Sequence, residues 1–375
     1  MKKFFLRLLC TASVAMFSAS TVTGAGNVKM ATLGITGTAV NEPSTIVEFQ
    51  AKKNTDGSTR EREVYLADPT VFTENGKFYM SGTKDTPRMG FTLLESSDLR
   101  HWEYARPDSM ILNQGQSVYG TKWFWAPQFF KDGDTYICAY CAVAYSDNIL
   151  GPYTNDVIEP VDNRVGNIDP FIFRDDDGKT YFYHVRFDGG NHIYVAEFDT
   201  KTGHLTTEPT LCFTHTEAWE KDNSIIIMEG ASVVKLDGYY YLFYSCNSYA
   251  QPNYAVGYAS APTPLGPWKK CKANPIINTA RMGENGVGHG ELFFDNDGNL
   301  RYAYHAHRSD TQALPRKIRI VTLNIDKSNG QPYEISADPS TIVYPTFTPD
   351  DGIFTGYVNL QPGEYTPKLR PGQLK

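Results

Sequence analysis

Gly166-Asn167-Ile168-Asp169-Pro170-Phe171-Ile172-Phe173-Arg174-Asp175-Asp176-Asp177-Gly178-Lys179-Thr180-Tyr181-Phe182-Tyr183-His184 places one acid before an apolar run, then a turn with glycine, then an aromatic run. Two strands around a short glycine turn form a hairpin, and the acid stands at the mouth of the first strand. The same pattern occurs four more times. Ala67-Asp68-Pro69-Thr70-Val71-Phe72 leads to Gly76 and Phe78-Tyr79, and Trp125-Ala126-Pro127-Gln128-Phe129-Phe130 leads to Gly133 and Tyr136. Glu229-Gly230-Ala231-Ser232-Val233-Val234 leads to Gly238 and Tyr240-Tyr241, and His289-Gly290-Glu291-Leu292-Phe293-Phe294 leads to Gly298 and Tyr302.

From Asp68, Trp125, Asp169, Glu229 and His289 the turn glycine is 8, 8, 9, 9 and 9 residues away. The five first positions are separated by 57, 44, 60 and 60 residues, room for four short strands and their loops in each unit. Repetition at this period with little helical patterning predicts an all-β chain folded as a five-bladed β-propeller. In such a fold the innermost strands run along one axis, so the five first positions should meet in a shared depression. Outer-strand endings also repeat, as Asn148-Ile149-Leu150-Gly151-Pro152-Tyr153 and Pro264-Leu265-Gly266-Pro267-Trp268 show.

The ends read differently. Residues 1–20 carry Lys2, Lys3 and Arg7, an apolar stretch from Leu8 to Phe17, and Ser18-Ala19-Ser20, the pattern of a cleaved secretory signal that is too short to cross a membrane. Residues 21–62 read as a linker and an N-terminal strand closing the last blade, residues 63–350 as the propeller, and residues 351–375 as a loosely ordered tail. Without the signal the formal net charge has three positive charges fewer than −7, that is −10. An acidic, exported chain without a basic block is a poor partner for nucleic acid or an anionic membrane, and a neutral partner fits better. Cys138 and Cys141 have CxxC spacing but no second pair accompanies them, so these two, Cys212, Cys246 and Cys271 read as small buried hydrophobes rather than as a zinc site.

Asp68, Asp169 and Glu229 bring three carboxyl groups to strand mouths in three different blades. One such acid reads equally as a turn cap accepting backbone amides. Three together suit glycoside hydrolysis, in which one carboxylic acid protonates the leaving oxygen and a carboxylate activates water. Burial and a neighbouring carboxylate supply the raised pKa that the acid needs.

Ala67-Asp68-Pro69, Trp125-Ala126-Pro127, Ile168-Asp169-Pro170, Glu229-Gly230 and Gly288-His289-Gly290 together resemble family 43 of the glycoside hydrolases, over about residues 62–345. The resemblance implies a five-bladed propeller and an inverting mechanism. It assigns Asp68 as general base, Asp169 as the carboxylate that tunes and orients the acid, and Glu229 as general acid. It also implies that Trp125 is a platform for the sugar, that Arg316, or alternatively Arg308, contacts the sugar in the innermost subsite, and that His289 stands near a calcium ion on the axis. No organic cofactor is implied.

Invertase-type propellers fit less well, since Ala67 precedes Asp68, Ile168 precedes Asp169 and Gly230 follows Glu229 where those enzymes carry other residues. Asp175-Asp176-Asp177-Gly178 reads as a hairpin turn and not a calcium loop, because Phe173 and His184 stand where that loop needs acids. His305 and His307 read as strand residues, one of them lining the pocket. The expected protein is a secreted or periplasmic inverting glycosidase that removes terminal sugars, α-L-arabinofuranose first, from plant polysaccharide side chains. The alternatives are a β-xylosidase, a galactofuranosidase or an endo-arabinanase of the same family, and a propeller that binds glycan without cleaving it.

Overall fold

The computed structural model describes residues 44–50, 62–85, 89–106, 110–115, 117–221, 226–347 and 353–359. The predicted secretory signal, residues 1–20, lies outside the described residues. Five antiparallel sheets follow one another along the chain. The first contains Ala67–Glu74, Lys77–Thr83, Leu94–Ser96 and His101–Tyr104, and the second Gln128–Asp132, Thr135–Ala139 and Val143–Ser146. That second blade has three strands rather than the expected four, extended by a bridge between Tyr145 and Thr154. The third holds Asn167–Arg174, Thr180–Phe187 and Asn191–Asp199 with two short outer strands. The fourth holds Met228–Leu236, Tyr239–Cys246, Ala255–Ala261 and Lys269–Lys270, and the fifth Gly288–Phe294, Leu300–Ala306, Lys317–Asp326 and Glu334–Val343.

The ring closes where the first strand of the fifth blade packs beside that of the first, with the Thr73 hydroxyl donating to the Phe294 carbonyl at 3.0 Å. Among the described residues the chain ends do not complete the fifth blade, where the sequence reading placed the N-terminal strand. Arg62–Glu63 pairs with Thr346–Phe347, which runs parallel to His101–Trp102 on the outer edge of the first blade. Ser44–Gln50 pairs with Ile353–Asn359, so part of the expected linker and part of the expected tail form a ladder.

Aromatic and β-branched side chains alternate along the strands and fill the seams between blades. Phe171, Tyr183, Val185, Met228, Ala231 and Tyr244 pack the seam between the third and fourth blades, all under a tenth exposed. Phe78, Trp102, Phe293 and Ile320 fill the seam that closes the ring. Full burial of each such side chain stabilises by about 1.5–3 kcal/mol relative to exposure.

Nearer the axis a polar belt ties neighbours together. The amide of Phe129 donates to Thr70 Oγ1, that of Ile172 to Gln128 Oε1 and that of Leu292 to Ser232 Oγ, each from one blade to the one before it. The cysteine reading holds in part, since all five described cysteines are free, with Cys138 and Cys246 buried and the other three partly so.

The innermost strands share one departure from regular pairing. Register shifts interrupt the first hairpin ladder between Ala67 and Thr70, between Ile168 and Phe171, between Glu229 and Ser232, and between Gly288 and Gly290. Such bulges push one or two residues out of the ladder and re-aim them, and they concentrate beside active sites. At each bulge, and at the matching place in the second blade, one residue has a left-handed backbone: Asp68 φ 50°, Ala126 φ 42°, Asp169 φ 54°, Gly230 φ 64° and His289 φ 38°. Proline follows in the first three blades, as Pro69, Pro127 and Pro170, at a place where no ladder needs its missing N–H.

This register corrects one reading. The equivalent positions are Asp68, Ala126, Asp169, Gly230 and His289, and Trp125 and Glu229 lie one residue earlier. The mouths therefore contribute from two positions, the bulge residue at Asp68, Asp169 and His289 and the residue before it at Trp125 and Glu229.

Candidate active site

Asp68, Asp169 and His289 line one axial cavity and Glu229 stands close enough to interact with their charges, each of the four less than a tenth exposed. His289 stands between the two aspartates, its Nδ1 3.5 Å from Asp68 Oδ1 and 3.8 Å from Asp169 Oδ2. Gly230 makes this approach feasible. A Cβ there would lie 2.8 Å from the His289 ring, and the positive φ favours glycine besides.

The electrostatics divide the carboxyl groups. Burial alone would raise the pKa of Asp68, but the Arg316 guanidinium, His289 and His305 outweigh it and hold the group well below the usual carboxylate range. Arg316 donates to Asp68 Oδ1 at 2.9 Å and is held from behind by Asp85, at 3.0 Å. The Asp68 amide lies 3.2 Å from Nδ1 of His305, a ring that burial pushes down to a pKa of about 4 and so keeps neutral.

Glu229 is driven the other way. Burial raises its pKa, the Asp68 charge adds to that, and the opposing pull of His289 and its hydrogen bonds does not cancel it. Asp169 is likewise raised, by burial and then by the charges of Glu229 and Asp68 against the pull of His289. His289 is itself raised, since the three acids outweigh the burial that would lower it. The site thus holds an ionised Asp68, a His289 whose charged form the three acids favour, and a Glu229 that keeps its proton longer than an exposed glutamate.

Both oxygens of Glu229 are fixed. The Tyr254 hydroxyl donates to Oε1 at 2.7 Å and Asn191 Nδ2 donates to Oε2 at 3.0 Å. Asp169 Oδ2 accepts from the amide of Gly230 at 3.3 Å, which steadies the backbone next to the acid. The Tyr254 ring stacks on His305 with centroids 5.5 Å apart and planes 13° apart. Glu229 and Asp68 are therefore braced through one shared layer, Glu229 to Tyr254 to His305 to Asp68.

Removing the Tyr254 hydroxyl tests this arrangement. Its hydrogen bond to Glu229 favours the charged carboxylate and lowers the pKa, so Tyr254→Phe is expected to move the basic limb of the kcat/KM profile to higher pH. A profile measured from pH 4 to 9 whose basic limb stays in place or moves down would show that Tyr254 does not govern the acid.

The other expected site residues fall around the same mouth. Trp125 occupies the repeat position of Glu229, half-buried and parallel to the exposed Trp123 with centroids 6.0 Å apart. Arg316 lies under the Tyr249 ring at 4.5 Å, and its buried Nε has no hydrogen-bond partner among the described residues. His305 touches Asp68, whereas His307 Nε2 lies 2.8 Å from the Tyr249 carbonyl. Asp175 accepts from Lys235 and Tyr240 of the fourth blade, consistent with a structural hairpin turn.

Tyr254 and Asn191 escaped the sequence reading because they lie outside the strand-mouth motifs. Their contacts to Glu229 span 25 and 38 residues.

The channel below the carboxyls is lined by Gln128, Phe171 and Glu291 among others. Burial pushes Glu291 up to about 8 despite hydrogen bonds with Thr70 and Gln128, so the channel floor is uncharged at neutral pH. The expected calcium ion asks for six to eight oxygen ligands. Among the described residues no group of three or more His, Cys, Asp or Glu is arranged to hold a metal, and His289 already faces two carboxylates. Side chains alone do not complete such a shell among the described residues, so a calcium ion beside His289 would take most of its oxygen ligands from water.

The model of the family Glycosyl hydrolases family 43 matches residues 63–331. A xylan 1,3-beta-xylosidase of Vibrio sp. is 27% identical over 254 residues, 60% of this chain and 45% of that protein. An extracellular endo-alpha-(1->5)-L-arabinanase 2 of Bacillus subtilis is 25% identical over 62% of this chain and 54% of its own length. The chain thus spans about half the length of these curated relatives. Among solved structures, an endo-1,4-beta-xylanase from Bacteroides thetaiotaomicron superposes with a TM-score of 0.71 at 34% identity, covering 78% of this chain and all of that one. A thermostable family-43 glycoside hydrolase gives a TM-score of 0.66 at 30% identity, over 73% and 93% of the two chains.

Proposed function

Since the chain belongs to family 43 of the glycosyl hydrolases, we propose that it is an inverting glycoside hydrolase that releases a terminal pentose, α-L-arabinofuranose or β-D-xylose, from plant polysaccharide side chains. The two sugars are those that recur in the names of its relatives. One observation carries the mechanism. In a single buried cluster one carboxyl group is held ionised by an arginine and another is pushed towards its protonated form, the pairing that acid–base catalysis near neutral pH requires.

Asp68 removes a proton from a water molecule, and that water attacks the anomeric carbon. Glu229 gives its proton to the departing glycosidic oxygen from the opposite side, its two oxygens aimed by Tyr254 and Asn191. Inversion needs the two carboxyls about 6.5–9.5 Å apart, so that a water fits between the base and the sugar. Asp169 orients the acid through the Gly230 amide. Arg316 keeps the base ionised, and Trp125 offers a flat apolar face to the ring. After turnover Asp68 carries the extra proton and Glu229 lacks one, and exchange with solvent restores both.

No described helix is long and apolar enough to cross a membrane. The basic and apolar pattern of residues 1–20 supports export to the periplasm or the medium, where plant polysaccharide is met.

The test is release of nitrophenol from aryl α-L-arabinofuranoside, β-D-xyloside and β-D-galactofuranoside by the purified protein. Turnover of the first or second is expected. Turnover of the galactofuranoside alone would overturn the pentose assignment, and silence on all three, with β-1,4-xylan and α-1,5-arabinan also uncleaved, would overturn the hydrolase reading.

A further inference from the structure

Phe187 is a large aromatic side chain left 46% exposed, on the last residue of the strand Thr180–Phe187. In the ladder of the third blade it is directly opposite Asn191, the residue that donates to Glu229 Oε2. Directly opposed residues of an antiparallel pair share a face, with Cβ atoms about 4.5–5.5 Å apart. On its other side Phe187 faces Gly166, to whose carbonyl its amide donates at 3.0 Å.

A Cβ on Gly166 would come within 2.8 Å of the Phe187 ring, so the ring rests across a residue with no side chain. Alternation along the strands puts Gly166, Phe187 and Asn191 on the same face as Ile168, Val185 and Ile193. That face packs against Met228 and Ala231, on either side of Glu229. The ring therefore stands above the seam between the third and fourth blades, beside the group that aims the acid. It points its apolar surface to solvent instead of into the seam.

We propose that Phe187 is the platform for the sugar unit on the leaving-group side of the scissile bond. This rests on the hydrolase reading, because the acid marks that side. Glu229 protonates the glycosidic oxygen, so the departing sugar must begin at Glu229 and extend away from Asp68. Asn191, itself half-buried, holds Glu229 Oε2, and Phe187 is its more exposed neighbour. A sugar ring laid on an aromatic face covers apolar C–H surface at low entropic cost and keeps its hydroxyls in water. The platform thus makes the enzyme prefer substrates whose leaving group is itself a sugar, and binding energy gained there is spent on aligning the bond with the acid.

The experiment compares two probes that share a glycosyl unit and differ in the leaving group. One is release of monosaccharide from β-1,4-xylo- and α-1,5-arabino-oligosaccharides of two to five units. The other is hydrolysis of the matching β-D-xylosyl and α-L-arabinofuranosyl fluorides, which have no sugar on the leaving side. Phe187→Ala is expected to lower kcat/KM on the oligosaccharide about tenfold and to leave the fluoride within about twofold, while Phe187→Trp keeps both. An unchanged melting temperature accompanies both variants, since the ring is not part of the core. Equal losses on the two probes, or no loss on the oligosaccharide, would overturn the proposal while leaving the hydrolase reading intact. Wild-type protein that turns over neither probe would overturn the proposal together with the pentose assignment.

Discussion

Asp68→Asn is expected to lower kcat by about 10³- to 10⁴-fold while the protein remains folded and binds sugar, because the amide cannot accept the proton of the attacking water. Asparagine fills the same space and still offers an oxygen to Arg316, which also keeps Asp85 as a partner. The buried cation is thus not stranded, and the loss reports chemistry rather than collapse. Circular dichroism and melting of the variant beside the wild type separate the two. The pH profile adds a second reading. The pKa of Asp68 is depressed, so the base is ionised above that low value and activity falls on the acidic side only as pH drops through it. Wild-type kcat/KM should therefore hold through the range where an ordinary aspartate titrates. Wild-type activity in Asp68→Asn would remove Asp68 from the role of base.

Glu229→Gln should cost about 10²- to 10⁴-fold on substrates with a sugar leaving group and far less on a glycosyl fluoride, since fluoride departs without needing a proton. The contrast between leaving groups identifies a proton donor. A residue needed only for binding or folding would depress both substrates alike. The pKa of Glu229 is raised, so the acid is competent below that value and activity is lost as pH rises through it. In Glu229→Gln that basic limb should vanish on the fluoride. Equal losses on the two substrates, or a basic limb that persists, would assign the proton donor elsewhere.

The propeller was readable because each blade repeats its hairpin, and because the acids interrupt a pattern of turns and apolar strands that has no packing use for them. Asp68, Asp169 and Glu229 do converge, but the register that brings them together was only half visible. A bulge adds residues to one strand without changing which residue types occur, so counting to the turn glycine aligned Glu229 with Asp68. The backbone aligns Gly230 with it. His305 looked like an ordinary strand histidine, and its contact with Asp68 spans 237 residues around the ring. Tyr254 and Asn191 belong to segments whose sequence specifies only a loop and a strand start, and their work on Glu229 follows from the closure of two blades.

Ring closure itself was misplaced for a related reason. Arg62–Glu63 and Thr346–Phe347 are two-residue strands, too short for any periodicity, and only three-dimensional proximity brings them to the outer edge of the first blade. The resemblance to a known family named Arg316 as a sugar contact. The structure adds that it pairs with Asp68 at 2.9 Å, which makes the arginine a determinant of that carboxylate's ionisation.

The central claim is that Asp68 and Glu229 act on opposite faces of the anomeric carbon. Proton NMR of the reaction during its first minutes, before mutarotation equalises the anomers, tests it directly on whichever glycoside is turned over. Initial release of the sugar with the anomeric configuration opposite to that of the substrate is the predicted result. Initial release with the substrate's own configuration would mean a covalent intermediate, and would contradict the assignment of Asp68 as a base acting on water.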